Sequence, residues 1–106
     1  MPKYLLEASY TAEGTKGLAK EGGTGRRKVV TELFKSVNGT VEAFYYAFGT
    51  TDLFLIVDVP DAVTAAALSL AVNQSGAAHL KTHVLMTPEE MDQAAKKSVA
   101  YRPPGK

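Results

Sequence analysis

The chain has 106 residues, of which 45% are hydrophobic and 22% charged, the proportions of one ordinary globular domain and not of a disordered or membrane-embedded chain. A net charge of +1 is too balanced for a protein that neutralises a row of phosphates, and no apolar run approaches the roughly 20 residues of a bilayer span, so neither a nucleic-acid nor a membrane partner is expected. The absence of cysteine excludes disulfides and thiol chemistry, and the start, Met1-Pro2-Lys3 with a few apolar residues before Glu7, lacks the apolar region of a secretory signal, which makes the cytoplasm the expected location.

The first strand is predicted from about Tyr4 to Tyr10, where Tyr and Leu favour extended backbone and Thr11-Ala12-Glu13-Gly14 ends the run. Thr15 to Glu21 reads as an irregular helical turn, mobile or kinked, because Gly14, Gly17, Gly22 and Gly23 each cost about 1 kcal/mol against Ala in a helix. A helix proper is predicted from Thr24, its capping residue, with Val29, Val30, Leu33, Phe34 and Val37 as an apolar stripe and Asn38-Gly39 as a left-handed stop. Val41 to Phe48 and Leu53 to Val59 form a hairpin around Gly49 to Asp52. Both of its strands are apolar on both faces. In Leu53-Phe54-Leu55-Ile56-Val57 alternate side chains point to opposite sides, so helices on one side leave half the run uncovered, and the simplest cover is a second copy of the chain in an isologous dimer.

Asp61 caps a third helical segment through Asn73, with Val63, Ala66, Ala67, Leu70 and Ala71 as the stripe expected to pack on the sheet, and Gly76 stops it. His79 to Met86 is the last strand. Thr87-Pro88-Glu89-Glu90 starts a final helix to about Val99, with Thr as cap and Pro in the first turn. A single domain is expected over residues 1–100, followed by an extended Pro-rich tail, 101–106. Charge is unevenly spread along these elements. Lys16, Lys20, Arg26, Arg27, Lys28 and Lys35 crowd the first helical region, whereas Gly39 to Leu80 holds no Lys or Arg at all. That contrast fits either a solvated basic helix face or a site for a small anion.

The order βαββαβ with a closing helix is a ferredoxin-like α+β unit with a four-stranded antiparallel sheet. Over essentially its whole length the chain resembles the GYD-domain family of the dimeric α/β barrel superfamily. The resemblance rests on Lys3-Tyr4-Leu5-Leu6, Lys20-Glu21-Gly22-Gly23, Val41 to Gly49, Asp52, Asp58-Val59-Pro60-Asp61, Thr87-Pro88-Glu89-Glu90 and Tyr101-Arg102-Pro103-Pro104-Gly105. The Tyr that the family carries just before the Asp is Thr51 here, while Gly49 and Asp52 remain. The turn is read as structural, with Gly49 free to adopt a positive φ and Asp52 bonding nearby amides. The resemblance implies a homodimer whose sheets face each other, in keeping with the two-sided strands, and implies no particular reaction. Superfamily relatives include cofactor-free monooxygenases, lactone isomerases, haem-binding enzymes and effector-sensing domains.

The chemical groups themselves are few. His79 and His83 lie four apart on one strand, about 13 Å at roughly 3.3 Å per residue, and cannot share a metal within one chain; no metal and no cofactor are expected. Glu7 and Ser9 on the first strand and Lys81 and His83 on the last share a face of neighbouring strands, either as a cross-strand ion pair or as material for proton transfer. Tyr10, Tyr45 and Tyr46 are pocket or core aromatics. Gly22-Gly23-Thr24-Gly25-Arg26-Arg27 offers amides and guanidinium groups to a carboxylate or phosphate but matches no nucleotide motif. Tyr10, Arg26, Arg27, Tyr46, Asp52 and His83 are the candidate ligand-binding residues, Gly49 and Asp52 the turn motif, and no residue is assigned a catalytic role. The leading expectation is a homodimeric module binding a small organic or anionic molecule between sheet and helices. A cofactor-independent monooxygenase or isomerase, and a purely structural role in which the tail docks on another subunit, are the alternatives.

Overall fold

The structure, a computed structural model, describes residues 2–106. Along the chain run β1 (Lys3–Tyr10), α1 (Ala12–Glu21), α2 (Gly23–Lys35), β2 (Thr40–Tyr46), β3 (Leu53–Asp58), α3 (Ala62–Gln74), β4 (Ala78–Leu85) and α4 (Pro88–Lys96). The sheet has the order β2-β3-β1-β4 with every neighbouring pair antiparallel, an α+β arrangement consistent with the expected ferredoxin-like unit. Among the described residues no helix is long and apolar enough to cross a membrane.

Strand alternation divides the sheet into two unlike faces. Tyr4, Leu6 and Ala8 of β1 and Leu53, Leu55 and Val57 of β3 are buried under α2 and α3, where Val30, Phe34, Ala65 and Leu68 meet them. Each large apolar side chain taken out of water there contributes about 1.5–3 kcal/mol. The residues between them, Leu5, Phe54 and Ile56, point the other way and are only half-buried, because among the described residues no helix packs over that open face. In β2 the register slips between Val41 and Ala43, and the bulge accompanies a carboxylate cluster: Lys3 Nζ lies 2.7 Å from Glu42 Oε2 and 3.1 Å from Asp58 Oδ1. These two carboxylates, Glu42 first, raise the Lys3 pKa above its usual value.

Several local expectations need correction. Residues 12–21 form a full helix, not an irregular turn: the Thr11 side chain accepts the Gly14 N–H, and the break falls at Gly22, whose φ of 86° only glycine takes readily. Thr24 is therefore inside α2, and the N-cap is Gly22 with no side-chain bond. In the α2 stripe Val30 and Phe34 are buried while Val29 and Leu33 remain exposed. Asn38 (φ 61°) carries the left-handed stop, and the Gly39 N–H donates to Phe34 O. Asp61 caps α3 by accepting the Thr64 N–H at 2.8 Å, which lowers its pKa. The buried face of α3 is Ala65 and Leu68, not the expected stripe; Val63 and Leu70 point outward at 79% and 69% exposure. A helix apolar on every side carries no periodic sign of which face packs. Gly49 does not adopt a positive φ. Finally, α4 has the complete Thr87/Glu90 capping box but ends at Lys96, short of Val99.

Candidate functional site

The start of α2 brings three of the candidate residues together. β1 ends in Tyr10, β2 ends in Tyr46, and Arg26 lies one turn into α2. The Tyr46 hydroxyl donates to Gly23 O at 3.0 Å, fixing β2 to the helix start, and its ring crowds Gly23, where an added Cβ would sit 3.1 Å away. Arg26 is held loosely, its Nη1 3.7 Å from Glu21 Oε1 with both side chains more than a third exposed. Burial pushes the Tyr10 hydroxyl above the usual tyrosine range, aided by neighbouring Tyr46 and opposed by the Arg26 guanidinium. Burial also raises Tyr46, with Arg26 opposing and Glu21 adding to the shift. Both phenols are thus held neutral, as donors, through the physiological range.

These groups stand at the side of a cleft of about 560 Å3 between α1, α2, α3 and the start of β4, lined by Tyr10, Leu18, Arg26, Leu33, Val72 and Ala78, with Glu13 and Glu21 also in its wall. Tyr10, Arg26, Leu33, Val72 and Ala78 also line an apolar recess of about 60 Å3 that runs toward Leu6, Val30, Phe34 and Leu55. A larger groove, about 650 Å3, lies on the other side of the molecule at the root of α4. The cleft pairs an apolar floor with one cation and a neutral hydroxyl, the mixture that small-ligand sites use.

Asp52 supports this site from behind. Its Oδ2 accepts the Tyr10 N–H at 2.8 Å, and its own N–H donates to Ala8 O at 2.9 Å, so the hairpin turn is pinned to β1. The other candidates lie elsewhere. Arg27 points away, beside Thr31, Val41 and Phe44. His83 is on the open sheet face, its Nε2 2.5 Å from Glu7 Oε2. Glu7 Oε1 in turn accepts the Thr51 hydroxyl at 3.2 Å, while Ser9 Oγ donates to Thr50 O at 2.8 Å. Thr51, Glu7 and His83 therefore form one hydrogen-bonded row, with Lys81 directly across from Glu7 in the register. Neither His83 nor Arg27 shares a site with Tyr10. Among the described residues no three His, Cys, Asp or Glu side chains stand close enough to hold a metal.

With the four-stranded sheet and its Asp52 turn described, the comparison with known families is decisive: the model of the GYD domain matches residues 4–95. The chain belongs to the GYD-domain family. The match ends within α4. No curated protein and no solved structure matches the chain. Within this GYD domain the contribution of α1 was missed from sequence, although Leu18 and Gly14 form a wall of the cleft; the signal was Thr11, a capping residue three positions before Gly14.

Proposed function

We propose that this GYD domain is a cytoplasmic homodimeric binding module that takes up a small organic molecule bearing an acidic or phenolic head group between its helices and sheet. The observation that carries the reading is the joining of the open cleft to the apolar recess at Tyr10 and Arg26. A ligand's apolar body would enter between Leu33 and Val72. Its head group would take the Arg26 guanidinium from Glu21, a loose exposed pair that is worth little on its own. The neutral Tyr10 hydroxyl supplies a donor beside it. The half-buried Leu5, Phe54 and Ile56 on the opposite face support the dimer, leaving the cleft free on the outside.

Native mass spectrometry of protein purified from its own host, repeated after denaturation, tests this. A dimer carrying a defined extra mass that denaturation releases is expected, with Arg26→Ala lowering the retained fraction about tenfold through the lost charge-assisted bonds. Protein that carries nothing and takes up none of a panel of aromatic and aliphatic carboxylates would remove the reading. A second reading, a cofactor-independent monooxygenase or isomerase, is favoured by the Thr51, Glu7, His83 row, in which a carboxylate orients an imidazole as proton-transfer sites require.

A further inference from the structure

We infer that α4 and the tail behind it are an arm that clasps a second copy of this chain, the copy being seated in the wedge between α4 and the open sheet face. The inference rests on the homodimer reading and adds to it which segment holds the dimer together. A helix of nine residues is marginal in water on its own, and α4 has every local device to form, capping box and Pro included, yet none of its residues is buried. Met91 is 56% exposed, Val99 79% and Tyr101 71%. The groove of about 650 Å3 at its root is walled on one side by Lys3, Ile56 and Leu85 of the open face and on the other by Thr87 and Glu90 of the arm. The arm therefore rises on the side that the helices leave uncovered.

The size of the exposed surface argues for an occupant. The chain exposes 7645 Å2, whereas a compact monomer of this length exposes about 5,700 Å2. The excess, roughly 1,900 Å2, is more than twice the approximately 800 Å2 that each partner contributes to a standard interface. The radius of gyration, 16.9 Å against about 13 Å for a compact domain, places the same excess in an elongated shape of 56 × 33 × 23 Å. A second copy is the occupant because one chain carries both halves of the contact on the same side, an arm exposing Met91, Val99 and Tyr101 and a face leaving Leu5, Phe54 and Ile56 half-buried, and a two-fold axis then satisfies both at once.

The test is amide hydrogen exchange on the full chain at several protein concentrations, with the mass of the species read by light scattering. Amides from Met91 to Lys97 are expected to be protected in the dimer and to lose that protection on dilution to the monomer. Met91→Asp, which removes nothing buried within its own chain, is expected to weaken the dimer roughly tenfold or more with the circular dichroism of the body unchanged. A dimer whose α4 amides exchange as freely as the tail, or is as tight with Met91→Asp, overturns the arm and leaves the homodimer standing. Protection of α4 in a monomer overturns the arm as an intermolecular clasp. A chain that is monomeric at every concentration overturns both readings.

Discussion

Tyr10 is tied into the molecule by its amide, through Asp52, while its ring is left to line the cleft. Its hydroxyl is partly withdrawn from water, and that withdrawal disfavours the phenolate, so the pKa in the folded protein lies above the ordinary 10.0. Below the unfolded value the phenol is neutral in both states and its contribution to stability is fully present. As pH rises through the folded value, the unfolded chain has already ionised and the contribution is lost. Urea midpoints measured from about pH 9 to 11 are therefore expected to fall, and to fall less steeply in Tyr10→Phe. Equal slopes in the two proteins would show that the ring is not desolvated. Asp52 acts at the same scale through one bond: Asp52→Ala leaves the Tyr10 amide unpaired at a half-buried position, at an expected cost of about 1–3 kcal/mol in the same assay.

Two glycines of α1 separate intrinsic helix propensity from packing. At Gly14 an added Cβ would lie 1.9 Å from Ala77 O, the oxygen that accepts the Thr11 N–H at 3.0 Å; at Gly17 it would meet nothing within 4 Å. Gly17→Ala is expected to stabilise by about 0.5–1 kcal/mol through backbone entropy, whereas at Gly14 the same gain is overtaken by a clash of about 1–3 kcal/mol. Thermal denaturation of the two variants should move in opposite directions, and a shared sign would mean that α1 does not rest on the Ala77 turn. The same element marks where the sequence was legible and where it was not. β1, the hairpin, the Asp61 and Thr87 caps and the ferredoxin-like order follow from local chemistry that tertiary contacts do not override. The α1 helix was hidden because four glycines argue against it locally, while the Thr11 cap and the contact with Ala77 that favour it are tertiary or single-residue signals. The buried face of α3 was hidden for the opposite reason, since every face is apolar. At the site, Tyr10, Arg26 and Tyr46 were legible as residue types, but their meeting depends on α1 folding and on Tyr46 reaching Gly23. His83 is parted from them because strand alternation sends it to the open face.

Leu55 and Ile56 are neighbours in β3, similar in size and apolarity, and differ only in which side of the sheet they occupy. Leu55 is 4% exposed beneath the helices, and Ile56 is half-buried on the open face beside the root of α4. A charge at Leu55 has no water to reach, so Leu55→Lys is expected to prevent folding of the chain. A charge at Ile56 keeps its water in the monomer and loses it only if a second copy closes over the sheet. Association linked to folding makes the melting temperature of the unaltered chain climb with concentration, by about 3 °C for each tenfold step for a dimer of domains this size. Ile56→Lys is expected to abolish that climb while leaving the monomer's circular dichroism intact. Calorimetry over a hundredfold range of concentration reads both at once. A melting temperature independent of concentration in the unaltered chain would mean that no second copy closes over the apolar half of β3.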